Sequence, residues 1–414
     1  MHDPRPAAPF PIGEREFIAL MASLQALQAL AIDAMLPALG VMAHDLGAGD
    51  PNRRQLVIGL FLLGAGFGAL VPGSLADRFG RRRVLLWCLG FYIVPVLLCA
   101  FVQDFNTLLA LRVVQAIGSG GLSVLPLAII RDRFEGDKMA RMQSLVSVMF
   151  MIVPMLAPAL GQGIMLLAGW RWIFGSMALL AAIVTVWMWL RLPETLHPEF
   201  RQPIRPRAIA ITMSNVLTTR EATGYVVASG LMMGGTWGYI NSSQQLVAEH
   251  FGAGALFPLI FGLLALGVSV ANFANSRIVE RFGTRRVSHA GMFIYIGVAS
   301  LQVWFANDPH QTIWLFVPVM AASMALIGFM GANFSSIALQ PFAHTAGAAA
   351  SVQAFMRMLI AASVGALIGQ AYDGTARPLA LALLLAGTLS LLLVLFSERG
   401  KLFGRLNLPL KMAL

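Results

Sequence analysis

The sequence predicts an all-α integral membrane protein, with twelve transmembrane helices in two pseudo-symmetric six-helix bundles. Three observations carry this expectation. Long apolar runs supply about the 240–300 residues that twelve bilayer-crossing helices of ~20 residues require. Lys and Arg gather in alternate loops. One loop motif recurs about half a chain later.

Composition sets the class. Of 414 residues, 58% are hydrophobic and only 12% are charged, and the mean hydropathy is +0.75. Soluble domains carry about 25% charged residues, so a soluble enzyme, a disordered chain and a nucleic-acid-binding domain are excluded. The net charge of +10 is read as basic loops on one side of a membrane. Cys88 and Cys99 lie eleven residues apart in one apolar segment. On a helix that is ~16 Å of rise, too far for a disulfide, so both are read as small core residues. The first dozen residues are Pro-rich and polar, without the charged and apolar regions of a signal peptide. They are expected to be a cytoplasmic tail.

The apolar runs fall at 17–43, 54–73, 84–103, 107–130, 140–167, 171–191, 223–248, 255–275, 286–306, 312–338, 346–371 and 378–397. The longest hydrophilic stretch between them, 192–222, is the expected cytoplasmic linker. It separates an N-terminal bundle (17–191) from a C-terminal one (223–397), with tails at 1–16 and 398–414. Alternate loops then test the layout. With both termini inside, the cytoplasmic segments hold 23 of the 29 Lys and Arg. The far side holds four, Arg53, Arg54, Arg171 and Arg377. Basic residues are retained in the cytoplasm during insertion, so the bias orients the chain. Arg112 and Arg357 remain inside spans.

GSLADRFGRRRVLL at 73–86 recurs as SRIVERFGTRRV at 276–287, with a constant offset of 203 residues. Each copy falls between the second and third helix of its half. Duplicated halves with a site between them are a transporter architecture. The chain contains no G-x-x-x-x-G-K-[ST] loop, so ATP is not expected to be the energy source.

Four segments bring a family into view: AIDAMLPAL (31–39), GSLADRFGRRR (73–83), LRVVQAIGSGG (111–121) and PMLAPALGQ (154–162). LPETL (192–196) and HTAGAAASVQAFMRM (344–358) add to them. With these the chain resembles the major facilitator superfamily over essentially its whole length. More narrowly, it is similar to the twelve-helix drug:proton antiporters of the bicyclomycin-resistance and chloramphenicol-efflux type. It departs from the family's Gly-Pro antiporter motif in that Gln162 separates Gly161 from Gly163. The resemblance implies a secondary exporter in a bacterial inner membrane. One chain already holds both halves, so a monomer suffices, and no cofactor, metal or nucleic acid is expected. The exporter would expel small amphipathic compounds, such as antibiotics, in exchange for protons. Export or import of a metabolite, such as an amino-acid derivative or a sugar, is the alternative. A proton-linked importer is disfavoured by the motif at 154–162. A membrane enzyme lacks a catalytic His, Cys or Ser constellation in a span.

Asp33 is the one acidic residue placed well inside a span, and an intramembrane carboxylate marks a proton or ion pathway by default. Its rival role is a permanent pair with a buried arginine. The resemblance agrees with the proton role, but a second helix-1 acid found in some relatives is here near Gln25, which cannot titrate. Arg112 must find an acceptor or water. Asp33 is its natural partner, directly or through water, in a proton-coupling pair, unless Arg112 snorkels from the helix end. Arg357, one turn after Gln353, is expected either to anchor substrate, to balance Asp33, or to bond helix-end carbonyls. With Gln25, Gln28, Asp33, Tyr239, Asn241 and Gln245, these two form the expected substrate-binding set, and Asn333 is a further candidate for the lining.

The loop motif (Gly73, Asp77, Arg78, Gly80, Arg81, Arg82) reads as a gate. Gly73 and Gly80 permit tight turns, and Arg81 would pair with Asp132. The resemblance suggests that Asp77 meets a helix start around Thr345 to Gly347. In the second copy Thr284 replaces Arg81, so the lock is expected to be weaker there. Pro154 and Pro158 should bend helix 5, while Gly161 permits close approach in a seal against helix 8.

Overall fold

The computed structural model describes residues 12–134, 136–196 and 214–404, with Glu199 and Ile211. Residues 1–11 and 405–414 of the expected tails, and most of the expected linker at 192–222, lie outside the described residues. Of the described residues 87% are helical, and no strand occurs among them. The bilayer imposes this: without water, each backbone N–H and C=O is satisfied within its own helix.

Helix α1 (Glu14–Asp33) gives way to a 3₁₀ turn at Leu36–Ala38, and then to α2 (Leu39–Asp45). The break has a local cause. Pro37, four residues after Asp33, has no N–H to offer the Asp33 carbonyl. A 3₁₀ turn at Pro51–Gln55 starts under the Asp50 carboxylate, which accepts from the Asn52 N–H at 2.7 Å. It leads into α3 (Leu56–Leu70) and α4 (Pro72–Phe79). Gly80, at φ 99°, turns the chain into α5 (Arg81–Cys99), a conformation that side-chain-bearing residues rarely adopt. Then follow α6 (Phe105–Arg133), capped by Asp104, α7 (Gly136–Ala168), with Pro154 and Pro158 inside it, and α8 (Arg171–Arg191).

The second half begins with α9 (Arg220–Gln244), extended by one π-helical turn at Gln245–His250. A 3₁₀ turn leads to α10 (Phe257–Phe282), then α11 (Thr284–Ala306), α12 (Ile313–Leu339), α13 (Ala346–Gln370) and α14 (Arg377–Ser397). Among the described residues, eleven helices are long and apolar enough to cross a membrane. Helix α9 takes the seventh expected place but is not among the eleven. Its 25 residues suffice to cross, at about 37 Å of rise. Its Gly, Ser, Asn and Gln residues keep its hydropathy down.

The helices gather into two compact units. One comprises Met1–Met35 and Phe67–Ile204, and the other Leu36–Gly66 and Arg205–Leu414. In the first, α5 and α6 meet where Gly118 abuts the Cys88–Tyr92 backbone and Gly121 abuts Cys88. The Tyr92 hydroxyl donates to the Leu27 carbonyl of α1 at 2.8 Å. Cys88 and Cys99 are both free and buried. In the second unit, α9 presents Gly230, Gly234 and Gly238 one turn apart. Ile360, Val364 and Ile368 of α13 fill the spaces where their side chains would be. Small residues at this spacing let helices approach closely, which is how membrane helices gain packing without a hydrophobic drive.

Gly234→Leu should therefore overpack the α9–α13 seam at a cost of about 1–3 kcal/mol. Its unfolding midpoint in detergent should fall. Gly267→Leu, where an added Cβ meets nothing within 4 Å, should melt near wild type.

Candidate functional site

Three of the sequence signatures converge on one turn of α1. Asp33 ends that helix, is 6% exposed, and is the only buried carboxylate among the described residues. It forms no hydrogen bond or ion pair among them. The direct pair with Arg112 is therefore not made. Arg112 Nη2 donates instead to the Ala31 carbonyl at 2.7 Å, and Nη1 donates to Gln115 Oε1 at 2.6 Å. Snorkelling is ruled out, because Arg112 is completely buried. Gly161 of α7 lies against the Ala34 backbone so closely that any side chain there would strike the Ala34 carbonyl. The Ala31–Ala34 turn is thus held from α6 by an arginine and from α7 by a glycine. Gln25 and Gln28 lie further back on α1 and are half-buried.

The loop motif is built around one buried cation. Arg81 sits at the start of α5. Its Nε donates to Asp132 Oδ2 at 2.7 Å, and its Nη1 lies 2.6 Å from Asp77 Oδ1. Asp77 thus meets Arg81. The side chains of Thr345 to Gly347, its expected partners, lie outside the described residues. The pattern reading missed the role of Glu194. Its carboxylate accepts from the backbone N–H groups of Arg81 (2.7 Å) and Arg82 (3.2 Å). It thereby satisfies two orphan donors at the positive end of α5. Gly80 is required twice over, since a Cβ there would also collide with this carboxylate. Gly73 has no close neighbour beyond the chain around it, and the Arg78 guanidinium lies 5.1 Å from the centre of the Phe79 ring.

The second copy is built differently. Gly283 turns the chain at φ 85°, but an added Cβ there meets nothing within 4 Å. Glu398 ends the last helix of its half as Glu194 follows α8. It lies 3.1 Å from Arg285 Nε and accepts from the Tyr225 hydroxyl at 2.8 Å. Two carboxylates on one arginine in the first copy become one carboxylate shared by an arginine and a tyrosine in the second.

In the second unit, several expected binding residues part company. Asn241 is 1% exposed, and neither of its amide atoms has a partner. The Tyr239 hydroxyl, Trp237 Nε1 and Gln353 Nε2 are likewise buried without partners. Buried polar groups are almost always paired, so this set stands out as hydrogen-bonding capacity held in reserve. Gln245 is already engaged, with Gln55 and Asn52. Asn333 is engaged by Asn275 through reciprocal amide bonds of 3.1 and 2.9 Å. Arg357 Nη1 donates to Ser335 Oγ at 2.9 Å. No sequence signal marked the Asn275–Asn333 pair, because its members lie 58 residues apart on separate helices.

Arg81→Gln and Asp132→Asn should each lower the unfolding midpoint, and the double variant should lose less than their sum. The coupling should be about 0.5–3 kcal/mol, the range for residues in contact. Glu194→Ala should cost a further ~1 kcal/mol through the uncapped start of α5.

Comparison with known proteins places this geometry. The Major Facilitator Superfamily model matches residues 21–366. An uncharacterized MFS-type transporter of Bacillus subtilis, YdgK, is 29% identical over 358 residues, covering 84% of this chain and 87% of that protein. A bicyclomycin resistance protein homolog of Haemophilus influenzae is 26% identical over 364 residues, covering 88% and 91%. Among solved structures, a D-xylose–proton symporter superposes with a TM-score of 0.71 at 16% identity, covering 93% and 96%, and shares the fold. The chain belongs to the major facilitator superfamily, and is a multi-pass membrane transporter rather than an enzyme.

Proposed function

We propose that the protein exports small amphipathic compounds, antibiotics among them, from the cytoplasm in exchange for protons, by alternating access. One observation carries the reading: Asp33 is buried without a counter-charge at the broken end of α1. An ionised carboxylate in such a place is costly by several kcal/mol. A proton, or a substrate that donates to it, removes that cost. A group that alternates between those two neutralisers is what exchange requires. Arg112 holds the turn rather than the carboxylate, which leaves Asp33 free to change partners. One proton moving down the membrane potential supplies ~2.3 kcal/mol per 100 mV.

Alternating access would use the bundles at 17–191 and 223–397, joined by the linker 192–222. Asp33, Gln25 and Gln28 would bind substrate in the first, and Tyr239, Asn241, Gln245, Gln353 and Arg357 in the second. Arg81, Asp77 and Asp132 would close the cytoplasmic gate, and the bend at Pro154 and Pro158 would let Gly161 seat α7 on α1. The Lys and Arg bias supports both termini in the cytoplasm of a bacterial inner membrane. The name of the Haemophilus relative supports an antibiotic among the substrates. A single chain with both halves suffices as a monomer.

In inverted membrane vesicles, adding a transported drug should release protons from wild type and not from Asp33→Asn. If the two release protons alike, Asp33 does not couple transport. Asn241→Ala should raise the drug concentration for half-maximal transport about tenfold, equivalent to ~1.4 kcal/mol, with maximal rate and proton coupling retained.

A further inference from the structure

Among the described residues of the second unit, Arg357 is the one charged side chain more than two turns from a helix end. It lies eleven residues from the start of α13 and thirteen from its end. That leaves ~16 Å of helix or more on either side, too far for the side chain to reach an interface. A guanidinium stays charged at any working pH and offers five N–H donors. Nη1 spends one of them on Ser335 Oγ of α12, at 2.9 Å. Ser335 is neutral, so the charge itself is not met. The eight acidic residues of this unit all sit in loops or within one turn of a helix end. Glu249 is taken by Arg54 and Glu398 by Arg285, and none pairs with Arg357.

The neighbours of Arg357 add donors. Gln353, one turn earlier on the same face, is 4% exposed, and its Nε2 has no partner. Ser335 accepts from Arg357, which leaves its own O–H to donate. Arg357 and Ser335 are half-buried, so the guanidinium is not sealed within the packing. A fixed cation, a hydroxyl and an amide N–H, with no acid beside them, form a set that an anion completes. An unmatched charge at this depth is costly. A planar acid group offsets that cost best, because two of its oxygens match the guanidinium fork.

We infer that the transported compound carries an acidic group, a carboxylate by preference, which Arg357 binds with the help of Ser335 and Gln353. The inference rests on the export reading above and narrows it, from amphipathic compounds in general to anionic ones. A free inorganic anion such as chloride would bring the same charge. It lacks the paired oxygens that fit the fork, so the acid group of the substrate is the better occupant.

The test is direct binding to the purified full-length protein in detergent, which needs neither a proton gradient nor a known drug. The probes are pairs alike in shape and unlike in charge: 2-naphthoate with 2-naphthamide, and 4-phenylbutyrate with 4-phenylbutyramide. Wild type should bind each acid at least about tenfold more tightly than its amide, as expected for hydrogen bonds to a charged group. Arg357→Gln should erase the difference, and Arg357→Lys should keep part of it. Should Arg357→Gln fail to fold, Ser335→Ala and Gln353→Leu take its place. Each should weaken the preference for acid several-fold at an unchanged melting midpoint. Equal binding of acid and amide by wild type, or binding of neither, would overturn the inference. So would a preference for acid that survives in all of these variants. A melting midpoint raised by chloride but by neither acid would assign the site to a free anion, and would overturn it as well. Proton release on drug addition, seen together with equal binding, would remove this inference and leave the export reading in place. A preference for acid without any proton release would remove proton exchange alone.

Discussion

A single hydrogen bond, from Arg112 to the Ala31 carbonyl, holds the part of the molecule on which the rest depends. In a span, no water is at hand to satisfy a carbonyl released from its helix. Pro37 breaks α1 because it has no N–H for the Asp33 carbonyl. Arg112 brings a fixed donor from α6 to a neighbouring carbonyl of the same turn, that of Ala31, and Gln115 occupies another of its donors. The broken helix is therefore a defined shape and not a frayed end. Asp33 takes its position from that shape. Its carboxylate is buried, and the Arg112 guanidinium bonds the Ala31 carbonyl rather than it. This separates the task of building the turn from the task proposed for the carboxylate.

The duplicated loop motif shows how one ancestral pattern can be finished in two ways. In both copies a glycine at positive φ joins two helices, and a glutamate at the end of the sixth helix returns to the start of the third. In the first copy that glutamate caps backbone N–H groups, which frees the Arg81 side chain to bind Asp77 and Asp132. In the second, Thr284 provides no such cation, and Glu398 turns to Arg285 and Tyr225. The charge pairing is therefore denser in the first copy than in the second.

Helix α9 reconciles two demands that hydropathy alone sets at odds. Its glycine stripe gives α13 a groove, and its Trp237, Tyr239 and Asn241 keep polar atoms buried and unspent. Both features lower its apolarity, which is why it falls short of the measure that its eleven companions meet. Tight packing on one face makes up for the membrane-inserting strength that the polar residues give up. At its end, the π-turn passes Gln245 to the polar belt around Asn52 and Gln55.

The amino-acid sequence by itself determined the class, the repeat and the key residue types. Composition, a period of apolar runs, a 203-residue echo and a lone carboxylate are all properties of the chain read in order. The Arg81–Asp132 contact was also legible, because both residues belong to helix ends that short loops and recurring motifs bring together. Tertiary structure alone decided which polar groups are already satisfied. Glu194 as a cap, the Asn275–Asn333 pair, the engagement of Gln245, and the choice of Ala31 over Asp33 by Arg112 all depend on the rotation of one helix against another. Helical periodicity says which residues share a face, but not which neighbour that face meets. In a membrane both faces of a helix are apolar, so hydropathy cannot break the tie. Close packing and the need to pair every buried donor settle it.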